Sequence, residues 1–349
     1  MKYLVFFITI ALLACKSDDN KQLETELYFP PLDGNWQTES PTNLGWNTDN
    51  LQPVYAYLQE KGTKGFIILQ EGKIVVEKYF NGHSASAIWN WNSAGKTLTS
   101  MTVGIAEQEG YLNIQDKTSD YLGLHWTSEP LEKENLITIK NQLSMTTGLN
   151  SANFTSTNPS NLTYVADAGT RWAYHNAPYT LLQKVVENAT GEIFTNYFNA
   201  KIQDKIGLSG YWFIYQNFHI YKSNTRDMAR FGLLILRNGK WQDETIINES
   251  YFNEMTTTSQ NFNLSYGYLW WLNGNNSFML PQSQEDYEGS MIPNAPNDML
   301  MALGKNDQKI YVIPSKNMVI VRCGEDAGTD QLAYSSFDNI LWSKLNTVF

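Results

Sequence analysis

Two runs of alternating strand character stand at opposite ends of this 349-residue chain, and any fold has to bring them together. Near the start, "GFIILQEGKIVVEKYF" (65–80) sets two β-rich runs about Glu71-Gly72, the pattern of a hairpin. Near the end, "QKIYVIPSKNMVIVRCGE" (308–325) repeats it about Pro-Ser-Lys-Asn. An isolated hairpin is marginal in water, so the two are expected to join one antiparallel sheet. The middle, roughly 110 to 255, reads mostly as helix and loop. "APYTLLQKVVENATG" (177–191) and "TRDMARFGLLILRNG" (225–239) show helical periodicity closed by glycine. "LAYSSFDNILWSKL" (332–345) reads as a terminal helix. With no internal repeat and no Gly/Ser-rich linker, the pattern predicts a single α+β domain over 31–349 with an inserted helical lobe.

The first residues are set apart from that domain. "MKYLVFFITIALLAC" has Lys2, an apolar run from Tyr3 to Leu13, then Ala14 and Cys15. The run is too short to span a bilayer as a helix and reads as a signal peptide over 1–14. Leu12-Leu13-Ala14-Cys15 resembles the lipobox of bacterial lipoproteins, which makes Cys15 the expected lipidation site. Residues 15–30 then form a tether, reaching about 20 Å at roughly 5–6 Å × √n. The expected location is exported and lipid-anchored to the bacterial membrane, at the outer membrane on its periplasmic or surface face. Only Cys323 remains as a second cysteine, so the mature chain has no internal disulfide. Cys323 lies in an apolar run and is expected in the core. A net charge of −10 without a basic stripe argues against nucleic-acid binding.

"WNSAGKTLTS" (91–100) admits two chemistries. Gly95-Lys96-Thr97 has the ending of a phosphate-binding loop, but that loop needs a glycine where Asn90 stands, flanked here by Trp89 and Trp91. The nucleotide reading fails. Ser93-Ala94-Gly95-Lys96 is a serine and lysine one helical turn apart, Ser93 at the expected start of a helix over 97–109. From Tyr79 to Ala106 the only charged residue is Lys96. A helix so apolar is buried, and a dehydrated lysine loses basicity until it can serve as a base. The competing reading is a lysine whose head reaches solvent from the helix end.

A serine–lysine pair needs a third group to move protons. Tyr-x-Asn triplets include those that start at Tyr79, Tyr174, Tyr197 and Tyr251. Tyr79 ends a strand, and Tyr197 and Tyr251 lie in helical patterns. Of these four, only Tyr174 falls in a loop, "AGTRWAYHNAP", where site residues are commonly presented. "GHSAS" (82–86) approaches a nucleophile elbow but lacks its final glycine. The four histidines show no spacing that argues for a triad or for zinc, and no metal or cofactor is expected.

Taken together, "NSAGKTLTSMTVGIAEQEGYLNIQDKTSDYL", "ITIKNQLSMTTGL", "AGTRWAYHNAPYTLLQKVVENATG", "TRDMARFGLLILRNGKW" and "IYVIPSKNMVIVRCGE" stand in order and spacing that resemble the serine hydrolases related to class C β-lactamases, over roughly residues 45 to 345. That group includes penicillin-binding carboxypeptidases, esterases and oligomer-cleaving amidases. The resemblance implies a β-lactamase/transpeptidase-like fold, an antiparallel sheet flanked by helices plus an all-helical lobe, with the site between them. It implies Ser93 as nucleophile, Lys96 as its base partner, Tyr174 as the proton relay to the leaving group, and Asn176 as a substrate contact. The oxyanion hole would combine the Ser93 N–H with one from the strand of the third motif.

That third motif departs from the pattern. Family members commonly carry Lys, His or Trp, then any residue, then Gly; this chain has Ala302-Leu303-Gly304, followed by Lys305 for the oxyanion N–H. Ala302 cannot help bind a substrate carboxylate, and Asp307 stands where glycine is common. "YGYLWWLNG" (266–274) matches a segment that lines the cleft in relatives, which puts Trp270 at the substrate; core packing is the alternative for Trp270 and Trp271. The expectation is an exported serine hydrolase acting on a neutral small-molecule or peptide-like ester or amide through an acyl-enzyme. A D-Ala-D-Ala carboxypeptidase or β-lactamase, and a catalytically silent binding protein on the same fold, are the alternatives.

Overall fold

The two distant hairpins do pair. Ile67 and Ile68 of the first lie directly across from Val321 and Ile320 of the second, and all four are buried. In a computed structural model, residues 27–215, 218–328 and 334–349 are described. The expected signal segment, Cys15 and residues 16–26 of the expected tether lie outside the described residues. Residues 27–30, drawn as tether, instead belong to the fold. Leu27, Tyr28 and Phe29 pack against the core, and Tyr28 N–H donates to Glu71 O across 3.0 Å. Their apolar side chains, which a free tether would leave in water, account for the shift.

In chain order the elements are helix α1 (Leu51–Glu60), strands β1 (Thr63–Gln70), β2 (Lys73–Tyr79) and β3 (Trp89–Asn90), a 3-10 turn Asn92–Gly95 and helix α2 (Lys96–Gln108). A lobe of short helices and loops leads to α3 (Asn176–Thr190) and α4 (Phe194–Phe198). Strands β4 (Tyr211–Tyr215) and β5 (Phe218–Ser223) and helix α5 (Thr225–Leu236) follow, then β6 (Trp271–Leu272), β7 (Leu300–Gly304), β8 (Gln308–Ile313), β9 (Met318–Gly324) and α6 (Ser336–Leu345). The main sheet runs β2-β1-β9-β8-β7-β6, antiparallel throughout. This is an α+β architecture with the expected helical lobe.

Alternation along β8 divides the sheet's two faces. Ile310 faces α5, where Gly232 lets the helix lie close; a Cβ there would come within 2.4 Å of Val319 Cγ1. Tyr311 faces α6, and its hydroxyl donates a hydrogen bond to the Asp338 carboxylate. Lys309, on the same side, ion-pairs with Asp307 at 3.0 Å and Asp338 at 2.8 Å, all three fully buried. Asp338 also caps α6 through Ser335. Asp338→Ala takes one carboxylate from Lys309 and strands the Tyr311 hydroxyl. Urea unfolding is expected to show a loss of about 3–5 kcal/mol, the usual consequence of breaking a buried pair.

Cys323 is buried as expected, its Sγ 3.3 Å from Thr225 Oγ1. The middle of the chain differs from the helical reading. Within it β4 and β5 form a hairpin that joins β3 in a separate three-stranded sheet, order β3-β5-β4. Aromatic and β-branched residues of "YWFIYQNFHIY" favour strand, and the neighbouring helices masked that signal. No helix among the described residues is long and apolar enough to cross a membrane.

Candidate active site

Ser93 sits in the 3-10 turn that opens α2, and the sequence bends there at Asn92, whose φ of +49° lies in the left-handed region. Asparagine tolerates that conformation better than most residues. The turn brings Lys96 onto the same side as Ser93, with Nζ donating to Ser93 Oγ across 2.7 Å.

Lys96 is only 3% exposed, so its side chain does not reach solvent. Its amine lies 4.2 Å from the Tyr179 ring centre and 5.0 Å from that of Tyr174. No ion pair reaches it among the described residues. Burial without a compensating carboxylate pushes its pKa well below the ordinary lysine value.

Tyr174 is 5% exposed and comes from the loop that ends at α3. Burial pushes its phenol well above the ordinary value, and hydrogen bonding with Ser93 partly opposes the shift. Its ring stacks on Trp271 at 5.9 Å and on Phe154 at 6.0 Å, with Tyr266 edge-on at 6.3 Å. The Tyr266 hydroxyl is itself buried without a partner. Asn176 begins α3 beside Tyr174; its N–H donates to Phe154 O across 3.1 Å, while its Oδ1 is enclosed and unpartnered.

Strand β7 closes the other side. Its partner β6 pairs only with Leu300 and Met301, so the rest of that edge meets the Ser93 turn. Gly304 makes this possible: a Cβ would lie 2.2 Å from Trp91 O and 3.0 Å from Ala94 N. Lys305 follows directly, and its carbonyl accepts a 2.7 Å hydrogen bond from Asn92 Nδ2. Its side chain is exposed. Ala302 is fully buried and offers no group to a ligand. Asp307 has φ +55°, which explains the glycine common at this position, and its carboxylate is committed to Lys309.

The structure therefore brings Ser93, Lys96, Tyr174, Gly304 and the Lys305 backbone together around one turn, with Asn176 two residues past Tyr174 at the start of α3. Trp270 does not join them. It is fully buried and stacks on Phe231 of α5 at 6.0 Å, while the next residue, Trp271, packs on Tyr174. Trp270 stands just before β6 and packs toward α5 while Trp271, the first residue of β6, faces Tyr174, and the pair "WW" gave no phase. Sequence reasoning also missed Tyr179, one turn into α3, and Asn92.

Asn92 ties the nucleophile's turn to the end of β7. Asn92→Gly keeps the left-handed backbone and removes the 2.7 Å bond to Lys305 O. Acylation of Ser93 is expected to slow by about tenfold, the weight of one hydrogen bond, read as the labelling rate with an active-site phosphonate. An unchanged rate would show that the strand end holds its place without Asn92.

An antiparallel sheet between helices, with a helical lobe and a serine–lysine–tyrosine cluster at their junction, defines the β-lactamase/transpeptidase-like class. The chain matches the beta-lactamase family over residues 56–322 and belongs to it. No curated protein matches it in sequence. Among solved structures, a provisionally named 6-aminohexanoate-dimer hydrolase from Bacillus anthracis superposes with TM-score 0.70 at 18% identity, covering 92% of this chain and 88% of its own. An octameric penicillin-binding protein homologue from Pyrococcus abyssi gives 0.64 at 15% identity, covering 85% and 77%. A penicillin binding protein from Bacillus halodurans gives 0.60 at 14%, covering 84% and 99%. At these identities the likeness is one of fold.

Proposed function

We propose that this protein is an exported, lipid-anchored serine hydrolase that cleaves a neutral ester or amide through an acyl-enzyme on Ser93. The observation that carries the reading is the 2.7 Å contact between Ser93 Oγ and a lysine amine buried among aromatic rings without a carboxylate. An amine so placed is held neutral and accepts the Ser93 proton as Oγ attacks the carbonyl carbon. The developing oxyanion lies between the N–H groups of Ser93 and Lys305, the largest single stabilisation in most acyl transfers. As the tetrahedral species collapses, the leaving group takes the Tyr174 proton, and Tyr174 is reprotonated from Lys96. Asn176, two residues past Tyr174, is the proposed substrate contact, as the family resemblance implies. Water then attacks the acyl carbon, its proton returns through the same groups, and Ser93 is released.

Carboxypeptidase or β-lactamase activity is the weaker reading. Ala302 is buried and apolar where a carboxylate-binding side chain would stand, and Lys305 points to solvent. A silent binding protein on this fold is the other alternative, and the intact serine–lysine–tyrosine cluster argues against it. The test is covalent labelling with a fluorophosphonate. Labelling of the wild type and not of Ser93→Ala supports the enzyme; no labelling of either overturns it in favour of the binder. Turnover of p-nitrophenyl esters without turnover of a chromogenic cephalosporin is the expected substrate pattern. Lipidation at Cys15 is checked by the mass of the mature N-terminus and by its loss in Cys15→Ala.

A further inference from the structure

The turn between β7 and β8, Lys305-Asn306-Asp307, bends through two left-handed residues in succession. Asn306 has φ +62° and Asp307 φ +55°, a conformation that residues other than glycine seldom adopt. Such backbone persists only where its surroundings hold it. Each carbonyl of the turn accepts from a side chain. Lys305 O accepts from Asn92 Nδ2 across 2.7 Å. Asn306 O accepts from Gln308 Nε2 at 2.7 Å and from Arg322 Nη1 at 2.8 Å, and Asp307 O accepts from Arg322 Nη1 at 3.0 Å.

Arg322 of β9 is fully buried, and no carboxylate among the described residues comes within ion-pair distance of it. Its remaining N–H groups go to Lys61 O and Glu325 O, both at 2.8 Å, and to Thr63 Oγ1 at 3.2 Å. Taking a guanidinium out of water is costly, and here four of its five bonds fix main-chain carbonyls. Gln308, the first residue of β8, is also fully buried. Its Oε1 accepts from Gly324 N–H at 3.0 Å and its Nε2 donates to Gly324 O at 2.7 Å, which ties the turn to the end of β9. Gln308 stands opposite Gly304 in the ladder, and Gly304 is the residue that lies against Trp91 O and Ala94 N of the nucleophile's turn. The grip on the turn is therefore one residue from its contact with the site.

We propose that Gln308 and Arg322 are positioning residues for acyl transfer, fixing the Lys305–Asp307 turn so that the Lys305 N–H is aimed at the developing oxyanion. The inference rests on the hydrolase reading above and deepens it by assigning the groups that hold its second oxyanion donor. Neither side chain touches substrate; both act through the main chain. They also let the turn keep its left-handed form with Asp307 where glycine is common.

Loss of aim is separated from loss of fold by changing the atom that the oxyanion hole receives. A thionoester puts sulfur, larger and a weaker hydrogen-bond acceptor, in place of the carbonyl oxygen, so a hole shaped for oxygen favours the ester. The experiment measures kcat/KM for p-nitrophenyl acetate and for the matching thionoacetate with the wild type, Gln308→Met and Gln308→Asn. Methionine keeps the length of the side chain without its hydrogen bonds, and asparagine keeps the amide one methylene too short to reach. Each protein is judged by its own ester-to-thionoester ratio, so a loss of folded enzyme cancels. The wild-type ratio is expected to stand well above one and to fall by about tenfold in either variant, a part of the effect of losing an oxyanion donor outright. Should Gln308→Met fail to fold, the asparagine variant decides alone. A ratio that the folded variant retains overturns the proposal, whatever the absolute loss, and so does a wild-type ratio near one. In those outcomes fluorophosphonate labelling of wild-type Ser93 persists and the hydrolase reading stands. Absence of both labelling and ester turnover in the wild type removes both.

Discussion

Replacing Lys96 with methionine is expected to slow acylation of Ser93 by about 10⁴-fold or more, close to the effect of Ser93→Ala itself. Groups that act as one unit lose most of their effect when either is removed, and what remains comes from the oxyanion hole and binding. Methionine has nearly the length of lysine and no polar head, so it fits a site lined by Tyr174 and Tyr179 rings. The same substitution is expected to raise thermal stability at neutral pH. Lys96 has a folded pKa well below its ordinary value, because burial disfavours the charged form. Between that depressed value and the unfolded value of ~10.4, the unfolded chain binds one more proton than the folded one. Wild-type stability therefore climbs with pH across this window, and the advantage of the variant shrinks as pH approaches the upper end. Calorimetry at several pH values reads this directly. A variant less stable than the wild type at pH 7 would mean that the lysine is well solvated or paired.

Tyr174→Phe separates proton delivery from acylation. The ring keeps its stack on Trp271 and its contact with Tyr266, so the melting temperature is expected to hold. For alkyl esters and amides kcat/KM is expected to fall by about 10²–10³, the usual range for loss of a general acid. For p-nitrophenyl esters the fall is expected to be much smaller, because nitrophenolate departs without a proton. Equal losses for both leaving groups would place Tyr174 in positioning rather than in proton transfer.

How far the sequence reveals this site depends on the scale of each signal. The Ser93–Lys96 spacing is local, and a segment from Tyr79 to Ala106 with no other charge already implies burial; the 3% exposure of Lys96 agrees. The two terminal hairpins are legible because each alternates strongly about a turn, and their union in one sheet follows from the weakness of either alone. What was not legible depends on phase or on distant partners. Trp270 and Trp271 are adjacent and identical, so only the register of β6 with β7 decides which one meets Tyr174. Asp307 looked like a lost glycine, and its role emerges only once Lys309 and Asp338 are seen buried around it. The hairpin of β4 and β5 was hidden by helical neighbours, although its aromatic alternation was present.

The central claim is that a buried, uncharged amine activates Ser93, and the pH dependence of fluorophosphonate labelling tests it most directly. Labelling of the wild type is expected to rise with pH through one ionisation and level off well below ~10.4, the value of an ordinary lysine. A rate that keeps climbing about tenfold per pH unit as far as ~pH 10 would contradict it.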